Sequence, residues 1–279
     1  MDRREMGGLS SILFVPGSRP DRFAKAADSG ADLICIDLED AVADGDKDGA
    51  RAAAIGSLET LDSDKVAIRI NGLRTAAGLA DLLALRLAAT KPRLLFIPMV
   101  ESPAEPEIAK AVLGDAAPGL VPLIETVKGL RAGDDIAAAS GVAAMMFGGG
   151  DFSAELGTDL AWEPLLAARS AFVMSAASAR IPAIDVPFIA LDDEASLEEE
   201  VARAKALGFA AKAAIHPKQV DAINRIMRPS EEELAEARSA LDAYAAAGGK
   251  AIRHNGKMLE APVIKRFEAM LGMEGTENA

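Results

Sequence analysis

Apolar residues along this chain gather in eight short runs, each followed by a longer stretch with helical spacing. The runs are SILFVPG (11–17), DLICIDLED (32–40), KVAIRIN (65–71), RLLFIPMVE (93–101), GLVPLIET (119–126), VAAMMFGGGD (142–151), ARIPAIDVP (179–187) and AAKAAIHP (210–217). Nearly unbroken apolar runs of this length suit parallel strands covered on both faces. Between them lie RPDRFAKAADS, KDGARAAAIGSLET, AAGLADLLALRLAA, PEIAKAVLG, GLRAGDDIAAAS, LAWEPLLAARSAFVMSAASA and SLEEEVARAKALG, which read as helices. Strand and helix in strict alternation predict an α/β fold, a (β/α)8 TIM barrel. A doubly wound sheet shares the alternation, but its first turn should carry GxGxxG, and here that turn is VPGSRPDR.

Two further stretches, QVDAINRIMRPSEEELAEARSALDAYAAAGG and KAIRHNGKMLEAPVIKRFEAMLG, follow the eighth run and read as helical. A closed barrel does not need them. The expected organisation is a barrel domain over 1–220 and a C-terminal helical arm over 221–279, packed on its own barrel or on a neighbouring subunit. The terminal MEGTENA (273–279) is expected to fray.

Charge and cysteine usage narrow the class of partner. A formal net charge of −13 argues against an electrostatic hold on nucleic acid or on an anionic membrane, so an anionic small molecule must find a local basic group. The single cysteine, Cys35, lies inside an apolar run and reads as packing; without disulfides a reducing compartment is expected. MDRREMGGLS lacks the apolar stretch of a signal peptide, and nowhere do eighteen uncharged apolar residues run together, so the chain reads as cytoplasmic.

Candidate chemistry sits where the runs end. Glu125 closes GLVPLI and Asp151 closes VAAMMFGGG, which puts both carboxylates at the C-terminal mouth of the expected barrel, where such enzymes keep their active sites. A pair of carboxylates, with water and substrate oxygens completing an octahedron, suits Mg²⁺. Arg69 ends a third run and can hold a substrate carboxylate by two parallel hydrogen bonds. Gly148, Gly149 and Gly150 allow a close backbone approach to a ligand. Asp37, Glu39 and Asp40 could bind water around the metal, orient Arg69 or accept a proton, although neighbouring strand residues face opposite sides. Each of these residues also has a plain reading, as a helix cap or a surface ion pair. His216, before Pro217, is either a base or a structural imidazole at a turn. No nucleophile-elbow context surrounds Ser10, Ser11 or Cys35, which disfavours serine or thiol hydrolysis.

The segments SILFVPGSRPDRFAKA, DLICIDLEDAV, AIRING, IPMVES, LIET, FGGGDF, GFAAKAAIHPKQ and NGKMLEAP, in this order, resemble the citrate lyase beta-subunit and malyl-CoA lyase group of the HpcH/HpaI aldolase superfamily. The resemblance implies a TIM-barrel, Mg²⁺-dependent carbon-carbon lyase. Its substrates would be CoA or acyl-carrier thioesters of 3-hydroxy acids, such as citryl, malyl or citramalyl, with oxo acids such as oxaloacetate as products. It also implies a homo-oligomer, a trimer or hexamer. By position it makes Glu125 and Asp151 the metal ligands, Arg69 the grip on the oxo-acid carboxylate, and Glu39 and Asp40 part of the shell around the metal; Arg19 falls near the thioester carrier. Gly149 and Gly150 fall at the substrate. Two positions depart from the pattern. Met99 stands where many relatives have lysine, and Glu260 stands where an aspartate of the C-terminal arm often serves as acid/base in a neighbouring subunit's site. Other outcomes the resemblance leaves open are an aldolase or thioesterase on a related small acid, or a binding subunit of a citrate-lyase-like assembly that is inert alone.

Overall fold

The structure is a computed structural model describing residues 8–274; residues 275–279, most of the segment expected to fray, lie outside it, as do the first seven. The chain forms two compact units, a barrel over Leu9–Met227 and a C-terminal unit from Arg228 onward.

All eight predicted strands are present: β1 (Ser11–Pro16), β2 (Leu33–Asp37), β3 (Val66–Arg69), β4 (Leu94–Ile97), β5 (Gly119–Ile124), β6 (Met145–Phe147), β7 (Ala183–Asp185) and β8 (Ala211–Ala214). They pair in parallel and in sequence order, and the circle closes where Ser11 of β1 lies opposite Lys212 of β8. This is a (β/α)8 TIM barrel, as the alternation predicts. The helices of the barrel unit are α1 (Phe23–Ala27), α2 (Lys47–Ser57), α3 (Ala76–Leu87), α4 (Ala104–Leu113), α5 (Val127–Arg131), α6 (Gly133–Ala137), α7 (Gly149–Leu156), α8 (Trp162–Ser178), α9 (Glu194–Leu207) and α10 (Val220–Met227). The stretch GLRAGDDIAAAS, read as one helix, is two short ones broken at Ala132.

Period-two alternation sorts each strand. Leu13, Val15, Ile34, Ile36, Val66 and Ile68 pack in the core between sheet and helices. Their alternates Phe14, Cys35, Asp37, Ala67 and Arg69 therefore face the barrel interior. Cys35 is fully buried, as expected of a packing residue.

One charged cluster lies in the sheet–helix layer. Asp185 of β7 and Lys212 of β8 sit opposite each other in register, both 0% exposed, with Lys212 Nζ 2.6 Å from Asp185 Oδ2. Arg169 of α8 donates from Nε to Asp185 Oδ1 at 3.0 Å, and Glu200 of α9 accepts from Lys212 Nζ at 2.8 Å. Two cations and two anions balance. The Arg169 guanidinium also lies 4.7 Å from the ring centre of Trp162.

In the C-terminal unit, α11 (Glu231–Ala246) begins with a capping box between Ser230 and Glu233 and packs on α12 (Ala261–Glu274). The expected helix over KAIRHNGKMLE is not helical. It forms a hairpin of β9 (Ile252–His254) and β10 (Lys257–Leu259). Asn255 and Gly256 make the turn with φ of 46° and 78°, the two left-handed residues of a type I′ turn, for which Asn-Gly is the preferred pair. Among the described residues no helix is long and apolar enough to cross a membrane.

Candidate active site

A cavity of about 470 Å³ opens among the C-terminal ends of the strands, and Arg69, Glu125, Asp151, Asp37, Asp40, Gly148 and Gly150 line it. The residues reach it by different local routes. Arg69 is the last residue of β3, and the parallel register sets it opposite Asp37, the last of β2. Asp37 then receives the guanidinium side-on, from Nε at 2.7 Å and Nη2 at 2.6 Å. The same carboxylate accepts the backbone N–H groups of Glu39 and Ala41 and so holds the loop after β2. Glu39 and Asp40, read as strand residues, lie on this loop past the end of β2. Lys47 fastens the loop from below, donating to the carbonyls of Leu38 and Glu39 and, at 2.6 Å, to Asn71 Oδ1.

Arg69 keeps donors for a ligand. Its Nη1 is 2.9 Å from Glu39 Oε2, an ion pair, yet that oxygen is buried without a hydrogen-bond partner, so the Nη1 hydrogens are aimed elsewhere. Asp40 is farther from the same nitrogen, at 3.6 Å, and mostly exposed.

Glu125 follows β5 directly and is buried. Its Oε2 accepts the Met99 backbone N–H at 2.7 Å. Met99 follows β4 with φ of 55°, a left-handed conformation uncommon outside glycine, and Arg74 Nη2 holds its carbonyl at 2.6 Å. Met99 thus meets the site through its backbone amide. Gly148 supplies the room on the other side: a Cβ there would lie 2.1 Å from Glu125 Cγ and 2.6 Å from Oε1.

Asp151 does not end a strand. β6 stops at Phe147, the three glycines open α7, and Asp151 sits exposed in its first turn, where a carboxylate complements the helix dipole. Gly150 lines the cavity with open space around it. Gly149 faces Leu160, Val186 and Phe147 instead, so its small size serves packing beneath the site. Arg19 is exposed in the segment after β1, paired side-on with Asp21 and absent from the cavity lining. Glu260 belongs to the C-terminal unit, exposed, its carbonyl accepting from Val263 and Ile264 at the start of α12. His216 takes the structural role: its Nδ1 accepts the Lys218 N–H in a capped turn.

The site carries more negative charge than its one arginine balances. Burial pushes the Glu125 carboxyl up to about 7; the Met99 amide and Arg69 pull it down, while Asp151 and Asp40 push it further up. Burial likewise raises Glu39 to about 8, opposed by Arg69 and reinforced by Glu125, Asp40 and Asp37. Mutually repelling carboxylates and all-oxygen donors fit a hard divalent cation such as Mg²⁺. Among the described residues no group of three or more His, Cys, Asp or Glu is gathered for a metal. Glu125 and Asp151 would therefore hold the ion as a pair, with the other positions left to water and substrate.

These shifts have a sign for stability. Both carboxyls bind protons more tightly folded than unfolded, so their contribution is full below an ordinary Glu value and is lost as pH rises through about 7 to 8. In a chelator, the melting temperature is expected to fall between pH 5.5 and 8.5, and Glu125→Gln to flatten that slope. Added Mg²⁺ should stabilise more at pH 8 than at pH 5.5, because a ligand carboxylate must lose its proton. Scanning calorimetry at the two pH values checks this; equal slopes in wild type and variant would count against it.

The HpcH/HpaI aldolase/citrate lyase family profile matches residues 10–217. A citrate lyase subunit beta-like protein of Mycobacterium tuberculosis (strain ATCC 25618 / H37Rv) is 36% identical over 270 residues, covering 94% of each chain. An L-malyl-CoA/beta-methylmalyl-CoA lyase of Cereibacter sphaeroides (strain ATCC 17025 / ATH 2.4.3) is 33% identical over 293 residues, which are 93% of this chain and 92% of the relative. Among solved structures, protein CitE of Mycobacterium tuberculosis in complex with magnesium, acetoacetate and coenzyme A has a TM-score of 0.83 at 33% identity, covering 97% of this chain and 99% of its own.

Proposed function

The chain belongs to the HpcH/HpaI aldolase/citrate lyase family, and from that premise we propose that it is a Mg²⁺-dependent carbon-carbon lyase that splits a 3-hydroxyacyl-CoA into a 2-oxo acid and an acyl-CoA. The observation that carries this reading is the convergence of Glu125, Asp151 and Arg69 on one cavity.

Arg69, fixed side-on by Asp37, offers its remaining N–H groups to the substrate carboxylate. Glu125 and Asp151 would hold Mg²⁺, which when bound would supply Lewis-acid polarisation of a substrate oxygen. Asp40, on the cavity wall, takes the hydroxyl proton. The carbon-carbon bond then breaks, its electron pair passes to the thioester α-carbon, and the 2-oxo acid is complete. One proton on that carbon yields the acyl-CoA, so nothing is oxidised or reduced. Glu39, its carboxyl pushed up to about 8 by burial against the pull of Arg69, is placed beside Arg69 to exchange a proton. Glu260 enters on the family pattern alone, as the arm carboxylate for the α-carbon, with a trimeric or hexameric assembly as part of that pattern.

The direct test is a panel of 3-hydroxyacyl-CoA thioesters, with acyl-CoA and oxo acid measured in Mg²⁺ and in chelator. Cleavage is expected in Mg²⁺ alone. Activity on the free acids without CoA would instead favour an aldolase. No turnover until a carrier-protein partner is added would favour a subunit of a larger assembly.

A further inference from the structure

Glu125 is held by a peptide that needs holding itself. The Met99 N–H donates to Glu125 Oε2 at 2.7 Å, with Met99 at a φ of 55°. On either side of Met99 the backbone keeps to the sheet: Ile97 pairs with Pro122 of β5, and the Val100 N–H donates to the Leu123 carbonyl at 3.2 Å. The left-handed turn is therefore confined to one residue. Such a conformation presses a Cβ against the following carbonyl oxygen, which lowers its population roughly five- to thirtyfold for a residue other than glycine.

The loop after β3 supplies the support. Arg74 Nη2 donates to the Met99 carbonyl at 2.6 Å, so Arg74 and Glu125 grip the two peptides that flank one α-carbon. The rest of the guanidinium is aimed by carboxylates: Nη1 donates to Glu101 Oε2 at 2.7 Å, and Nε lies 3.4 Å from Glu105 Oε1. Those carboxylates are fixed in turn. Glu105 Oε2 accepts the Glu101 and Ser102 backbone N–H groups, and Glu101 Oε1 accepts the hydroxyl of Thr126, the residue after Glu125. At 54% exposure the Arg74 ion pairs by themselves contribute little. The hydrogen bond to a strained peptide gives this side chain a second use.

Resting on the reading of Glu125 as a metal ligand, we propose that Arg74 is a positioning residue for the divalent-cation site. It holds Met99 in the left-handed conformation, which keeps the Met99 amide on Glu125 Oε2 and the carboxylate in the orientation in which it lines the cavity. Charge alone predicts the opposite sign for its removal. Taking a cation away from the neighbourhood of an acidic site strengthens the binding of another cation, whereas loss of the clamp weakens it.

Calorimetric titration of Mg²⁺ into the full-length protein, without substrate, tests this independently of turnover. Arg74→Met should weaken Mg²⁺ binding roughly five- to tenfold, the lower part of the range set by an unsupported left-handed residue. Glycine adopts that conformation without a steric penalty, so the same change made together with Met99→Gly should weaken binding by about twofold or less relative to Met99→Gly alone. A residue that served only in surface ion pairs would give no such rescue. Unchanged or tighter Mg²⁺ binding in Arg74→Met, or an equal loss with and without Met99→Gly, overturns the proposal and leaves the lyase reading standing. Absence of Mg²⁺ binding by the wild type overturns both.

Discussion

Gly148→Ala is expected to cost about a hundredfold in turnover and to weaken Mg²⁺ binding comparably, with the fold intact. The added methyl meets Glu125 Cγ at 2.1 Å and Oε1 at 2.6 Å, so the carboxylate must leave its place. An error of about 1 Å in the position of such a group is enough for a loss of that size. The backbone itself tolerates alanine, since φ at Gly148 is −97°. The damage should therefore pass through Glu125 alone, which a double-mutant cycle can show. Glu125→Gln and Gly148→Ala together should be no worse than the more damaging single change, because both remove one function. Gly56→Ala in α2, where nothing lies within 4 Å, controls for the methyl itself. Strict additivity in the cycle would contradict the mechanism.

The second large effect is on stability. Lys212 is 0% exposed and spends all three ammonium hydrogens, on Asp185 Oδ2 at 2.6 Å, the Val186 carbonyl at 2.8 Å and Glu200 Oε1 at 2.8 Å. Lys212→Met leaves Asp185 buried with Arg169 as its remaining charged partner. Breaking a buried pair from one side costs about 3–5 kcal/mol, which in a domain of this size lowers Tm on the order of 10 °C. Arg203, paired with Glu163 and Glu199 at the surface, sets the comparison: Arg203→Ala should lower Tm far less than Lys212→Met. Thermal melts of the two variants decide it, and equal losses would show that the buried cluster holds little. Val186, whose carbonyl Lys212 holds, also lines the cavity, so Lys212→Met is expected to loosen the cavity there as it destabilises the barrel.

What the sequence could and could not convey follows from where each interaction originates. The barrel was legible because strand and helix periods alternate over nearly its whole length and local pattern agrees with global fold. Arg69 and Glu125 were legible as charged residues at the ends of apolar runs. Asp151 reads from the sequence as the end of the sixth apolar run but lies in the first turn of α7, because three glycines after such a run do not say whether the strand continues or a helix begins. The hairpin over β9 and β10 carried a plain signal, Asn255-Gly256, which the helical spacing of its neighbours obscured. Met99 as an amide donor was out of reach, since its role depends on a positive φ and on Arg74, 25 residues away. The buried cluster of Arg169, Asp185, Glu200 and Lys212 was likewise hidden. A lysine inside AAKAA reads the same whether it meets solvent or a carboxylate from another element.

If Glu125, Asp151 and Arg69 form one site for a divalent cation and an oxo acid, pyruvate binding depends on Mg²⁺, and titration with and without the ion decides it. Wild type should bind pyruvate in Mg²⁺ and not in chelator. Glu125→Gln and Asp151→Asn should each abolish the Mg²⁺ requirement together with the binding, and Arg69→Met should lose pyruvate while keeping Mg²⁺. Unchanged Mg²⁺ and pyruvate affinities in both carboxylate variants would show that the two carboxylates do not hold the ion.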